Sequence, residues 1–372
     1  MKVTHSAVFR YRLPFVAPVE LGGVRHTERT GYLLALHNAH GAVGWGEAAP
    51  LPGFSRESSE QAWNGLVRCA RALAGHPLPE THAGLEAAGL LDMLEARSVA
   101  FALEAAVLNL RAATEGRALC DFLADAPARA IRLNALLAGG ENAVLEKARG
   151  LGEAGYRAAK LKVGRRRLED DAALVGAVRA ALGPDVALRL DANQAWDLDT
   201  ASDFARRVCG CAIEYIEEPL SDPLALPEFA AATGIPYAVD ETLVRVNAAL
   251  DEGGDMPERL EGVLRDAAAL VWKPSLVHYP NIGMLLARHR APEGKMVLSG
   301  AYESGVATAV LANYAAAYSG PETPAGLDTY VWLAEDVLKE RLPLNGGEVV
   351  LAAINQAAAG VRAEVLELVW ES

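Results

Sequence analysis

From Ala130 onward, short apolar segments alternate with amphipathic ones, and this alternation constrains the fold more than any other feature of the chain. Short apolar runs predict buried strands, and apolar residues at helical spacing between them predict helices. The unit repeats about every 25 residues, which is typical of a (β/α)8 barrel or a close variant. The predicted strands are 130–137, 157–163, 186–191, 213–217, 236–240, 269–273, 295–299 and 325–329, and helices are predicted at 142–154, 169–182, 198–208, 281–290 and 305–318.

The first part of the chain has a different pattern. Strand-like segments flank a turn at His37–His40, and helices follow at 57–75 and 96–115, which predicts a small α+β unit. Residues 18–30, with two glycines, are predicted to form a mobile loop.

The predicted fold class is therefore α/β: a modified (β/α)8, TIM-like barrel with an N-terminal α+β capping domain that the C-terminal segment completes. We expect the capping domain at 1–125, the barrel at 126–335 and the C-terminal segment at 336–372. A helix is predicted near 332–341. A last strand at 348–352 is predicted to return to the capping domain.

Composition limits the partners. The formal net charge of −13 over 372 residues disfavours nucleic acid and anionic membranes. Four cysteines are too few for a disulfide framework, so a cytoplasmic setting is expected. A small carboxylate substrate remains compatible with the negative charge, because a bound metal ion can reverse the local sign. The oligomeric state is open, and a homo-oligomer is one option.

The second predicted barrel strand carries two lysines. Because side chains alternate along a strand, Lys160 and Lys162 should point the same way, about 7 Å apart. Two ammonium groups on one buried face should lower the pKa of at least one of them, which would suit a base near neutral pH. The segment alone also allows two solvated lysines on an edge strand.

Charged residues also end the strands that follow. Asp191, Glu217 and Asp240 end the third, fourth and fifth strands, at the edge where barrel enzymes place their active sites. Their mutual repulsion predicts one bound divalent cation, and all-oxygen ligation suits Mg²⁺, with Mn²⁺ as the alternative. Lys273 ends the sixth strand, across the axis from the lysine pair. This layout suits proton abstraction next to a carboxylate. The run Arg165-Arg166-Arg167 is expected to be solvated.

The chain resembles the enolase superfamily, and within it the muconate-lactonising-enzyme subgroup. The resemblance rests on K-x-K at Lys160-Leu161-Lys162 and on Lys273, and it covers nearly the whole chain. It implies that the Mg²⁺ ligands are Asp191, Glu217 and Asp240. Lysine with Mg²⁺ as a strategy for stabilising an enediolate is a known pattern of this superfamily.

Within the subgroup, residues 44–55, 188–193 and 298–305 are similar to the o-succinylbenzoate synthases. This implies a hydro-lyase that converts 2-succinyl-6-hydroxy-2,4-cyclohexadiene-1-carboxylate (SHCHC) to o-succinylbenzoate by syn-dehydration, in menaquinone or phylloquinone biosynthesis. It further implies that Lys162 moves the proton, that Lys273 stabilises the enediolate by charge and cation–π contact, and that Lys160 holds the substrate carboxylate. Segment 18–30 would close over the site. The substrate contacts expected are Asn193, Ser299, Gly300, Arg189 and Glu303.

Other functions share these residues. An N-succinylamino acid racemase would use the same two lysines on opposite faces of one carbon, as the main or as a second activity. A dipeptide epimerase would need an acidic pair near the last strand, where only Asp328 stands. A His–Asp mechanism would need histidine at Ser299. A non-catalytic scaffold would be expected to have lost a lysine or a ligand.

Overall fold

The computed structural model describes residues 2–21, 23–78, 96–251, 258–277 and 295–372. The predicted helix 281–290 lies outside these residues. No α-helix within the described ranges is both long enough and apolar enough to cross a membrane.

The N-terminal unit is an antiparallel sheet with two helices packed on it. Its strands are β1 (Val3–Leu21), β2 (Val24–Asn38) and β3 (Val43–Ala48), and its helices are α1 (Ser59–Leu73) and α2 (Arg97–Glu115). Strand β3 lies directly against α2: a Cβ atom added at Gly46 would stand 1.8 Å from the Ala102 carbonyl oxygen. The turn predicted between the second and third strands and both predicted helices are confirmed.

The mobile loop predicted at 18–30 is wrong. These residues continue the β1–β2 hairpin, with Val19 paired to His26 and Leu21 paired to Val24. Gly23 has a φ of +77°, which glycine adopts without strain, so the chain turns back tightly between paired strands.

The larger unit is a curled parallel sheet with helices on its outer face, which confirms the modified barrel. Its seven strands run in the order β11-β10-β9-β8-β7-β6-β5. The strands are β5 (Asn134–Leu137), β6 (Ala158–Lys162), β7 (Ala187–Asp191), β8 (Ile213–Glu217), β9 (Tyr237–Val239), β10 (Ala269–Trp272) and β11 (Lys295–Leu298). The helices of the described ranges are α3 (Glu141–Gly150), α4 (Leu168–Leu182), α5 (Leu198–Arg207), α6 (Leu226–Thr233), α7 (Glu241–Asp251), α8 (Glu258–Asp266) and α9 (Gly305–Tyr318).

The eighth strand predicted at 325–329 is not formed. Ala325 and Gly326 make only single bridges, to Leu133 and Ser299, and these close the gap between β5 and β11. The ladder ends there because the side chain of Asp328, instead of a backbone carbonyl, accepts from the Leu136 amide at 2.8 Å. A 3-10 helix then spans Asp328–Trp332, and no α-helix forms over 332–341.

The C-terminal segment pairs with both units. Strand β12 (Glu348–Val350) pairs with β4 (Ala130–Arg132), so the prediction that 348–352 returns to the capping domain is wrong. The strand that pairs with β1 is β13 (Glu367–Glu371), which follows α10 (Leu351–Ala358). The predicted strand 130–137 is divided because β4 pairs with β12 and β5 begins the barrel. The domain boundaries themselves stay a prediction.

Candidate active site

A cavity of about 330 Å³ lies at the carboxyl ends of the barrel strands, beneath the capping domain. The barrel supplies most of its polar wall, and the capping domain covers it with apolar side chains. The wall includes Leu21, Leu51, Phe54, Asn134, Leu136, Lys160, Lys162, Arg165, Asp191, Asn193, Asp240, Glu241, Lys273, Ser299, Gly300, Tyr302, Asp328 and Thr329.

Both lysines of β6 lie in the cavity wall, and each ammonium group contacts a carboxylate. Lys160 Nζ donates to the two carboxylate oxygens of Glu217, at 3.0 and 3.1 Å. Lys162 Nζ donates to Asp191 Oδ2 and to Asn193 Oδ1, both at 2.9 Å. Lys160 Nζ also lies 3.4 Å from Asp191 Oδ2, so the two lysines share the Asp191 carboxylate, and Lys162 lies nearer to the outer loop after β7.

The third lysine comes from the other side of the barrel. Lys273 follows β10, is 7% exposed and forms an ion pair with Asp240. Its Nζ also lies 4.8 Å from the centre of the Phe54 ring, which the capping domain supplies. This is a cation–π distance, so the ammonium group is held between a carboxylate and an aromatic face.

The expected lowering of a lysine pKa is wrong for Lys160. Burial acts to lower its pKa, but the charges of Glu217 and Asp191 outweigh burial and raise it well above 10.5. Burial likewise acts to lower the pKa of Lys273, and the neighbouring Asp240 raises it overall. Repulsion between two ammonium groups loses to carboxylates that lie about 3 Å away.

The buried acids have the chemistry of a site for a hard cation. Asp191, Glu217 and Asp240 are each 2% exposed or less, and Oε2 of Glu241 is buried with no hydrogen-bond partner among the described residues. Four carboxylates therefore face three ammonium groups, which leaves one negative charge uncompensated. Among the described residues, the structure brings no three His, Cys, Asp or Glu side chains close enough together to bind one metal ion, because lysine ammonium groups lie between the acids. The oxygen donor set and the excess charge fit a divalent cation.

Glu218 has a structural role next to this cluster. It is fully buried and accepts from the backbone N–H groups of Asp240 and Thr242, at 2.9 and 2.7 Å. It also accepts from Gln194 Nε2 at 2.9 Å. These contacts hold the start of α7 and the loop after β7, where Asn193 has a φ of 46°. The strained loop directs the Asn193 side chain to Lys162 and Glu241.

Three of the five predicted substrate contacts lie in the cavity wall: Asn193, Ser299 and Gly300. Arg189 does not, because it lies two residues before Asp191 on β7 and so one layer deeper in the barrel. There it is 1% exposed, and its Nε donates to Glu214 at 2.6 Å. Glu303 is also outside the wall, and it accepts from Ser275 Oγ at 2.8 Å.

Sequence reasoning missed several wall residues. Phe54 lies in the stretch 44–55, and nothing in that sequence predicts that its ring contacts the Lys273 ammonium group. Glu241 follows Asp240 directly in the sequence, but only the structure shows that its buried Oε2 has no hydrogen-bond partner among the described residues. Arg165 is exposed, as expected for the run of three arginines, and it also lines the cavity, which the run did not indicate. Leu21 shows that the tip of the β1–β2 hairpin reaches the site.

A buried glutamate of the capping domain positions one wall of the cavity. Glu47 is 1% exposed and accepts from the backbone N–H groups of Ser304 and Ala307, at 2.9 and 3.1 Å. It thereby caps the start of α9 and fixes the loop that contains Gly300. Arg29, equally buried, donates from Nε to the Tyr302 carbonyl oxygen at 3.1 Å.

Comparisons with known proteins agree with this geometry. A family profile described as "Enolase C-terminal domain-like" matches residues 143–356, and one described as "MenC, N-terminal domain" matches residues 3–110. The o-succinylbenzoate synthase of Aliivibrio salmonicida is 31% identical over 380 residues, which covers 99% of each chain. Protein PHYLLO, chloroplastic, of Arabidopsis thaliana is 32% identical over 355 residues, or 84% of this chain and only 20% of that longer protein. The crystal structure of a dipeptide epimerase from Cytophaga hutchinsonii, complexed with Mg and dipeptide D-Ala-L-Val, aligns with a TM-score of 0.80 and 21% identity over 99% of each chain.

Proposed function

This chain belongs to the enolase superfamily and, within it, to the o-succinylbenzoate synthase family, and on that premise we propose that it is a hydro-lyase that dehydrates SHCHC to o-succinylbenzoate. The observation that carries the proposal is the placement of Lys162 and Lys273 in the wall of one cavity, each beside a buried carboxylate. That arrangement provides a base and a separate fixed positive charge for a carboxylate substrate.

The proposed proton transfers use Lys162. As the free amine, Lys162 Nζ removes the proton next to the substrate carboxylate, and the electron pair moves into an enediolate. The hydroxide on the neighbouring carbon then leaves, and the Lys162 ammonium returns its proton to that hydroxide, which departs as water. One lysine serves both steps, so both occur on the same face of the ring.

Two other lysines hold charge during this reaction. Lys273 places its ammonium group beside the developing enediolate and keeps it oriented through Asp240 and the Phe54 ring. Lys160, whose side chain is 15% exposed and which is strongly favoured as a cation, holds the substrate carboxylate. The hairpin tip at Leu21 and the ring of Phe54 exclude water from this part of the cavity.

Mg²⁺ fits the buried acids, and we propose Asp191, Glu217 and Asp240 as its ligands. When bound, the ion would supply positive charge to the substrate carboxylate, which makes the neighbouring proton more acidic. Glu241 is placed to add a further oxygen, since its Oε2 has no partner among the described residues.

The second candidate is racemisation of an N-succinylamino acid. Lys162 and Lys273 both line the cavity, so a substrate carbon between them could lose a proton to one and gain it from the other. Dipeptide epimerisation is disfavoured by the state of Asp328. Its Oδ2 accepts from the Leu136 amide and from Lys147 Nζ, both at 2.8 Å, so one of its two oxygens is occupied, and segment 325–329 has no second acidic residue to form a pair with it.

The cellular setting is part of the proposal. We expect a cytoplasmic protein with a small carboxylate substrate, no nucleic-acid or membrane partner, and an oligomeric state that size measurements would define. Its product would serve menaquinone or phylloquinone biosynthesis.

One assay separates the two candidate activities. The purified protein with Mg²⁺ is mixed with SHCHC, and the aromatic product is followed by ultraviolet absorbance. In parallel, an N-succinylamino acid is incubated in D₂O, and loss of the α-proton signal is followed by NMR. Efficient dehydration with slow exchange supports the synthase, and fast exchange with poor dehydration supports the racemase. Lys162→Ala should abolish dehydration while Mg²⁺ binding remains, and near-normal turnover would contradict the role of Lys162.

A further inference from the structure

Arg165 differs from every other cation in the cavity wall. Lys160, Lys162 and Lys273 each contact a buried carboxylate. Arg165 lies in the same wall, yet its guanidinium group makes no ion pair or hydrogen bond with any of the described residues. It is also solvent-exposed, which places it at the mouth of the cavity and the three lysines deeper inside.

The backbone that carries Arg165 is held firmly on both sides. The Gly164 N–H donates to Asp171 Oδ2 at 2.7 Å, and Arg166 Nη1 lies 3.3 Å from Asp171 Oδ1. Asp171 is 1% exposed, so one buried carboxylate of α4 binds the residues before and after Arg165. Gly164 has a φ of +79°, and a Cβ atom there would stand 2.5 Å from the Ala195 Cβ. The turn is therefore built and is not a free end.

The charge of Arg165 acts across the cavity. Burial raises the pKa of Tyr302, in another part of the wall, and the charges of Lys160, Lys273 and Arg165 oppose that rise. The guanidinium group thus belongs to the electrostatic field of the site. Its position outside the lysines means that it would meet a part of the substrate far from the reacting carbon.

The proposed substrate has a second negative charge at such a distance. Its ring carboxylate, next to the proton that is removed, belongs with the inner lysines and the metal. The succinyl side chain carries another carboxylate, separated from the ring by a ketone and two methylene groups. A guanidinium group can bind a carboxylate through two parallel hydrogen bonds, which a methyl group in the same place could not form.

We infer that Arg165 determines specificity by binding the distal carboxylate of a succinyl substituent at the mouth of the cavity. This inference rests on the proposed function, and it holds for both candidate substrates, since an N-succinylamino acid carries the same group. Arg165 takes no part in proton transfer, so its loss should affect substrate binding more than turnover.

The test compares Arg165→Met and Arg165→Lys with Arg167→Met in the full chain. Arg167 is a matched control, because its side chain is 81% exposed and does not line the cavity. Arg165→Met should raise KM for SHCHC about 10- to 100-fold while kcat changes less than about threefold. Arg165→Lys should recover part of the loss, and Arg167→Met should behave as the wild type. An unchanged KM in Arg165→Met, or an equal rise in Arg167→Met, would overturn the inference.

Binding of two product analogues isolates the contact. Calorimetry would give Kd for o-succinylbenzoate and for 2-butyrylbenzoate, which replaces the distal carboxylate with a methyl group. The wild type should prefer o-succinylbenzoate by about 10- to 100-fold, and Arg165→Met should bind the two about equally. A preference of the same size in both proteins would refute the contact.

Turnover of the wild type and of Arg165→Met distinguishes failure of the proposed function from failure of the proposed role of Arg165. Wild-type protein that does not dehydrate SHCHC would refute the proposed synthase, whereas wild-type turnover with an unaffected Arg165→Met would refute only the role of Arg165. If the protein is the racemase, N-succinyl and N-butyryl amino acids replace the two analogues, with the same expected pattern.

Discussion

Replacing Lys273 with methionine should reduce dehydration by two to three orders of magnitude. The change removes a buried ammonium group and keeps a side chain of similar length and apolar character. Two unit charges about 4 Å apart, at an effective dielectric constant of about 20, interact by about 4 kcal/mol. The enediolate charge is only partly developed in the transition state, so a loss of about 3–4 kcal/mol, or about 10²–10³ in kcat, is expected.

The same substitution should also destabilise the fold, and the two effects must be separated. Asp240, 2% exposed, would lose its ion-pair partner, which costs on the order of 3–5 kcal/mol. Turnover is therefore measured below the unfolding transition, with urea unfolding in parallel. Lys295→Met is the control, because Lys295 pairs with Glu214 outside the cavity wall and should keep turnover within about threefold. If folded Lys273→Met dehydrates SHCHC with a kcat within about threefold of the wild-type value, the proposed role of Lys273 is refuted.

Three further predictions concern the metal, the packing and the charges. Glu217→Gln should weaken Mg²⁺ binding at least about tenfold by removing an anionic ligand, and an unchanged metal titration would exclude Glu217. Gly46→Ala should lower the free energy of unfolding by about 1–3 kcal/mol, because the added Cβ atom meets α2. Gly176→Ala should raise the free energy of unfolding by about 0.5–1 kcal/mol, because no atom lies within 4 Å of the added Cβ atom. Urea unfolding that changed in the same direction for both variants would contradict this. Burial acts to raise the pKa of Glu214, but its two cationic partners lower it overall, so its stabilisation is present above its ordinary value of 4.5 and is lost as the pH falls. The stability gap between wild type and Glu214→Gln should therefore shrink from pH 7 to about pH 3, and a constant gap would disprove it.

The sequence predicted the site better than the elements at its edges. Strand-end residues such as Asp191 and Lys273 come after strongly apolar strands, so a barrel pattern suffices to bring them together. The pattern could not predict where the barrel closes, because a side chain, that of Asp328, ends the ladder. It also could not distinguish a loop from a hairpin at 18–30, since the two paired strands there are largely exposed and lack clear alternation.

Predictions from charge were wrong where the depth of a side chain in the barrel, or its contacts with other strands, determines its role. Arg189 shares the face of Asp191, and only its depth in the barrel removes it from the cavity. The pKa of Lys160 depends on carboxylates supplied by two other strands, which no local pattern reveals. For Arg165 the error is the reverse: the run of three arginines gave no sign that one of them lines the cavity.

The contact of Glu47 with α9 has a consequence for how the molecule unfolds. Separating the two units would expose Glu47 and leave the Ser304 and Ala307 amides without their acceptor. The Arg29 guanidinium would lose the Tyr302 carbonyl at the same time. Neither unit can therefore keep its native structure at the junction once the other has melted. Heat should accordingly denature the described parts of the chain as one cooperative unit, and calorimetry should record a single transition with matching calorimetric and van't Hoff enthalpies.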